Sequence, residues 1–124
     1  MAQLIGIYEA NGSLRGELSY VLGKLFGTRH CALCDITHGA VSKKRTFAEL
    51  EKELPIPITL VHLDERSEQV KAASEGHTPC VLLEDEDGLR IFITASELEV
   101  CRGDVKCFER LVRATLARSR DALG

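Results

Sequence analysis

The run Ile58-Thr59-Leu60-Val61-His62-Leu63 leaves neither side of an extended chain polar, and this most narrows what the chain can fold into. Successive side chains of a strand point to opposite faces. A strand with two apolar faces needs cover above and below, which is the situation of a central strand in a parallel sheet. Leu4-Ile5-Gly6-Ile7-Tyr8 has the same character and runs into the turn signal Glu9-Ala10-Asn11-Gly12. Two such strands in parallel require a crossover, usually helical. The intervening chain offers one. Ser13 can cap a helix in which Leu14, Leu18, Val21, Leu22 and Leu25 recur at helical spacing beside Phe26, and Gly27 supplies the stop.

Further along, Thr46-Phe47-Ala48-Glu49 has the capping-box pattern and predicts a short helix that buries Phe47, Leu50 and Leu54 before Pro55. Arg66 to Glu75 reads as a helix ending at Gly76. His77-Thr78-Pro79 precedes a strand, Cys80-Val81-Leu82-Leu83. The turn Glu84-Asp85-Glu86-Asp87-Gly88 joins it to Leu89-Arg90-Ile91-Phe92-Ile93, and the Asp-Gly pair predicts a hairpin. The acids of that turn lack the alternate spacing and closing Glu of a calcium loop, so they read as a solvated tip. Ala95 to Gly103 is expected to be a connection. Asp104 can cap a last helix whose buried face is Val105, Phe108, Leu111, Val112 and Leu116.

The element order is therefore β-α, a segment with a second helix, then β-α-β-β-α. With Thr78-Pro79 placed just before the hairpin and an amphipathic helix closing the chain, this order resembles the thioredoxin-like superfamily. The resemblance implies an α/β three-layer sandwich, a four-stranded mixed sheet with helices on both faces, in one domain over residues 1–124. It implies a cis peptide before Pro79, strands 4–8 and 58–63 in parallel, and the hairpin alongside the former. The family carries C-x-x-C straight after its first strand. Here that position is Ala10-Asn11-Gly12-Ser13, with no cysteine, so the family's site is empty. The cysteines lie instead in what reads as an insertion at about 28–45.

That insertion holds most of the chemistry. Residues 28–39 contain two of the five cysteines and two of the four histidines. Cys31, Cys34 and His38 follow C-x₂-C-x₃-H, a spacing that suits tetrahedral zinc, and His30 is the nearest further ligand. The same Cys31 and Cys34 could run thiol-disulfide exchange as the catalytic pair, since Arg29, His30, Lys43, Lys44 and Arg45 outnumber the single acid Asp35 and would favour a thiolate. A third reading makes them small buried hydrophobes. Haem attachment is disfavoured because Asp35 stands where C-x-x-C-H needs histidine. Cys80, Cys101 and Cys107 read as packing residues. His62 reads as a hydrogen-bonded core residue, and His77 as a loop residue near the empty site. The segment has little apolar content to order it, and a metal would supply that ordering.

Bulk properties bound the partners. A net charge of −3 on 124 residues argues against a broad nucleic-acid surface. No run approaches a membrane span, and Met1 to Tyr8 lacks the basic region of a signal peptide. The expectation is a cytoplasmic protein whose cysteines serve metal binding, redox chemistry or burial rather than a disulfide scaffold. Its expected function is a zinc-stabilised binding module with a protein partner; the alternative is a thiol-disulfide oxidoreductase acting on a thiol substrate through Cys31 and Cys34.

Overall fold

The computed structural model describes residues 2–9, 32–37 and 44–123, without the side chains of 35 and 119–123. The helix expected over 14–26 and the residues His30, Cys31 and His38 lie outside the described residues. Within them the chain is mixed α/β. Its elements are β1 (Gln3–Ile7), α1 (Ala32–Thr37), α2 (Arg45–Glu53), β2 (Ile58–Val61), a 3₁₀ turn (Leu63–Glu65), α3 (Glu68–Ser74), β3 (Cys80–Asp85), β4 (Gly88–Ile93), α4 (Ala95–Cys101) and α5 (Val105–Leu123).

The four strands lie in the order β2-β1-β3-β4. β1 and β2 are parallel, with Leu4 opposite Ile58 and Ile7 opposite Val61. β3 runs antiparallel to both β1 and β4. The peptide between Thr78 and Pro79 is cis. These are the strand pairings and the peptide geometry expected from the sequence. One expectation is corrected: β2 is the edge strand, not a central one, and Thr59 on it is exposed. Its apolar residues are explained by cover on both faces. Ile58 and Leu60 pack into one core cluster, while Val61 packs into the other.

Pleating divides β1 cleanly. Leu4 and Tyr8 face a large cluster with Leu33, Ile36, Phe47, Leu98, Phe108 and Val112. Ile5 and Ile7 face a smaller one with Val70, Cys80 and Leu82. Helices α1, α2, α4 and α5 supply the first layer and α3 the second, so helices cover both faces. In β4 a bulge interrupts the alternation. Val81 pairs with Ile93 and Leu82 with Ile91, leaving Phe92 as the extra residue. Phe92 and Ile93 therefore both reach the large cluster.

Three further expectations are corrected. Ala95 to Gly103 is not a plain connection: residues Ala95–Cys101 form α4. Thr94 Oγ1 accepts the Glu97 amide at 3.2 Å, and Glu97 Oε1 accepts the Thr94 amide at 3.0 Å, a full capping box. The helix ends in a left-handed turn, Arg102 at φ 48° and Gly103 at φ 78°. α2 begins one residue before Thr46, at Arg45, with Lys44 as the N-cap and no side-chain cap bond. Residues 32–37, described within the 28–45 segment, are also not poor in packing. Ala32, Leu33, Cys34, Ile36 and Thr37 are all buried in the large cluster or beside it, so α1 is held by its own apolar face. Lys44 is engaged at both its amide and its ammonium. Its amide donates to the Thr37 carbonyl at 2.8 Å and its ammonium to the Gly103 carbonyl at 2.7 Å.

The remaining correction concerns cysteines. Cys101 and Cys107 are a disulfide with Cα atoms 5.3 Å apart. The turn through Arg102 and Gly103 reverses the chain, bringing the end of α4 against the first turn of α5 and within the Cα separation such a bond needs. Cys80 is fully buried on the other face, as expected.

Candidate functional site

The polar groups with the most specific arrangement gather at the carboxyl end of β1. Tyr8 and Glu9 leave the sheet there. The Tyr8 amide donates to the Val61 carbonyl at 2.9 Å, which holds the end of β2 alongside and brings His62 next to Tyr8. Because Ile7 pairs with Cys80, the cis Thr78-Pro79 peptide falls on the other side of the same end. Thr78 Oγ1 donates to Glu9 Oε2 at 2.7 Å.

Tyr8 is the centre of this group. Its ring is 3% exposed, and its hydroxyl is 2.9 Å from Thr37 Oγ1, itself fully buried. The rings of Tyr8 and His62 are tilted, with centroids 5.1 Å apart. His62 donates to one carboxylate oxygen twice, through its amide at 2.7 Å and through Nδ1 at 2.8 Å, both to Glu65 Oε1. The amide hydrogen bond, then the ring one, hold the Glu65 carboxyl below the ordinary carboxylate range. With Nδ1 engaged, Nε2 is the ring nitrogen left to meet a ligand.

The thiol nearest the cis peptide is inert. Burial pushes Cys80 up to about 11; the Arg66 cation works against that shift and Glu9 adds to it. Arg66 is itself enclosed, donating to the Leu63 carbonyl at 2.9 Å and to Ser74 Oγ at 3.1 Å. At neutral pH Cys80 stays protonated and offers no nucleophile.

Comparison with known protein families, curated proteins and solved structures finds no match. The site is therefore read from its own geometry.

Of the sequence-derived site residues, Cys34 alone lies within the described residues. It is 6% exposed, in the middle of α1. Two contacts give the direction of that helix. Leu33 lies against Gly6, where an added Cβ would come 3.3 Å from Leu33 Cδ2, and Thr37 meets Tyr8. Leu33, in the first half of α1, thus lies over Gly6, while Thr37, its last residue, meets the hydroxyl of Tyr8 just past the end of β1. The helix brings its carboxyl end, not its amino end, to the cis peptide. Among the described residues no three His, Cys, Asp or Glu side chains converge as a metal group would, and no helix is long and apolar enough to cross a membrane. His77 lies on a cleft of about 190 Å³ with Thr78, Ile91 and Ser96, on the β4 side of the cis peptide.

Sequence reasoning missed Tyr8, Thr37 and Glu65. Only the pattern His62-x-x-Glu65 carried a local signal, since a side-chain acceptor three residues after a strand end can close a capping box. The Tyr8–Thr37 bond spans 29 residues and has no local signature.

Proposed function

We propose that this chain is a thioredoxin-like domain acting as a binding module for a protein partner, with zinc held by Cys31, Cys34, His38 and His30 at the α1 segment. The direction of α1 is the observation that carries this reading. Thioredoxin-type exchange needs the attacking sulfur at a helix amino end beside the cis-proline, where the helix dipole favours the thiolate. Here the carboxyl end of α1 approaches that place, and Cys34 is enclosed. Strand order and the cis peptide at Pro79 support the fold assignment.

Chemistry of the donor set supports the metal. Cys31, Cys34 and His38 follow C-x₂-C-x₃-H, a spacing that suits tetrahedral zinc. Two thiolates with imidazole are ligands zinc prefers. Bound there, it would tie the residues on either side of α1 to a helix that already has its own packing. At the other side of the site, Glu9, Thr78, His62 and Glu65 are hydrogen bonded among themselves. That arrangement suits recognition more than nucleophilic attack.

The test is elemental analysis of tag-free protein, with limited proteolysis in the presence and absence of chelator. About one zinc per chain and chelator-dependent cutting within 28–45 are expected. Insulin reduction by the wild type that is lost in both Cys31→Ser and Cys34→Ser, with cutting unchanged by chelator, would overturn the reading in favour of the oxidoreductase.

A further inference from the structure

The Cys101–Cys107 disulfide serves neither the zinc segment nor the polar end of β1, yet it is joined to the latter by an unbroken set of contacts. Inside the ring it closes, Arg102 and Gly103 are both left-handed. The Asp104 amide donates to the Cys101 carbonyl at 2.9 Å, and Asp104 Oδ1 accepts the Lys106 amide at 3.2 Å. This fixes the Gly103 carbonyl outward, where the Lys44 ammonium donates to it at 2.7 Å. Through its amide Lys44 grips the Thr37 carbonyl at the end of α1. Thr37 Oγ1 meets the Tyr8 hydroxyl, and the Tyr8 ring meets His62.

We propose that Cys101–Cys107 is a thiol-exchange site for a dithiol reductant, and that its opening releases Lys44 from Gly103 and loosens α1 and the carboxyl end of β1. Access selects the sulfur attacked. Cys101 is 4% exposed, whereas Cys107 is only partly buried. The reductant's first thiolate bonds to Cys107 Sγ, the S–S bond breaks, and Cys101 leaves as a thiolate that takes up a proton. The reductant's second thiolate then bonds to its first sulfur and displaces Cys107. That leaving thiolate sits in the first turn of α5, a 19-residue helix, where the dipole favours it before it too is protonated. Two electrons and two protons pass from the dithiol to the protein, and the dithiol becomes a disulfide.

The two-state element is the turn itself. A non-glycine residue at φ 48° is unfavourable unless its surroundings hold it there. With the ring open, Arg102 can return to an ordinary φ. The Gly103 carbonyl then turns away, and the cleft of about 380 Å³ between α2 and α5 gives the Lys44 side chain room to leave.

Hydrogen exchange of the full chain tests this. Amides of 32–37 are compared in oxidised wild type, in wild type reduced with dithiothreitol, and in Cys107→Ser and Lys44→Met, all at equal zinc content. Reduction, verified by the mass gain of two hydrogens, should speed exchange over 32–37 by about tenfold while β3 is unchanged. Cys107→Ser should match the reduced protein without reductant, which separates this effect from any action of the dithiol on zinc or on Cys31 and Cys34. Lys44→Met should start fast and gain little on reduction. Unchanged exchange over 32–37 after verified reduction of the wild type would overturn the proposal even if both variants failed to fold. So would a Lys44→Met protein that still responds fully.

Discussion

The two faces of the sheet are built differently. One carries α1, α2, α4 and α5, and buries Phe47, Leu98, Phe108 and Val112. The other carries α3 alone over Ile5, Ile7 and Leu82. Where α3 stops covering it, the second face ends in a polar row across three strands. There Thr59 Oγ1 donates to Gln3 Oε1 at 3.5 Å, and Gln3 Nε2 donates to Glu84 Oε1 at 2.6 Å. The crowded face also holds Cys34, the disulfide and the buried Tyr8–Thr37 bond. The thin face holds the inert Cys80 and the enclosed Arg66. The contrast teaches that the buried bond between distant residues, Tyr8 with Thr37, lies under helices that hold one another. On the thin face the enclosed Arg66 is held by residues within eight positions of it.

The contrast is broken most directly at Phe108. Its ring is fully buried and lies 6.0 Å from Phe47 between centroids, joining α2 to α5. Phe108→Ala should cost about 3–5 kcal/mol, read as a shift in the denaturant midpoint at unchanged slope. A loss under about 1.5 kcal/mol would mean that this layer collapses around the gap and is not closely packed.

A matched pair of substitutions sharpens it. Val112 on the crowded face is fully buried, and Val70 on the thin face is 7% exposed. The same atoms are removed in Val112→Ala and Val70→Ala. We expect about 2–3 kcal/mol for the first and about 1–1.5 kcal/mol for the second, because α3 has solvent on one side and can settle inward. Equal losses in denaturant unfolding would erase the distinction between the faces.

Much of this was legible from local pattern. The four strands and the hairpin follow from apolar runs and Asp87-Gly88, while the cis peptide was expected only through the resemblance that Thr78-Pro79 carries. The edge position of β2 was not legible, because two covered faces look alike whether a strand has one neighbour or two. α4 escaped because only Leu98 and Cys101 on it are buried, too few for a helical period, although Thr94-x-x-Glu97 announced its start. The disulfide was hidden for a related reason. Cys101 and Cys107 meet only through a left-handed arginine, and residue type gives no sign of that conformation. The site at the end of β1 depends on Tyr8, Thr37, His62 and Thr78, which no stretch of sequence brings together. Of the C-x₂-C-x₃-H segment, the structure describes Cys34 and the helix around it, and their burial replaces the weakly packed insertion expected there.

A smaller effect is expected where the crowded face meets the site. Tyr8→Phe keeps the ring against His62 and removes only the hydroxyl that meets Thr37 Oγ1. A buried hydrogen bond of this kind is worth about 1 kcal/mol. Thermal unfolding should show that loss, and hydrogen exchange should rise at Ile36 and Thr37 before it rises in β3. Faster exchange across the whole sheet would instead place Tyr8 in the general core.

The smallest effect belongs to Glu65, on the exposed rim where the two faces meet. Its carboxyl is held below its ordinary value by the His62 amide and then the His62 ring. A depressed folded value means that the folded chain holds this proton less tightly than the unfolded chain does. The stabilisation is therefore fully present above the unfolded value of 4.5, and it is lost as pH falls through the folded value. Because Glu65 is largely in solvent, its share is discounted to at most about 0.5 kcal/mol. Asp85 acts in the same window, held low first by the Arg90 side chain, so the acid limb of the stability curve contains both. Glu65→Gln should lose that share between pH 6 and pH 8 (about two to four units above the carboxylate range) and match the wild type at the acid end, which flattens part of that limb. A variant whose loss is equally large at the acid end, where the wild-type carboxyl is protonated, would show that Glu65 acts as a packing residue of the 3₁₀ turn. The charge on its carboxylate would then be incidental to how His62 is held.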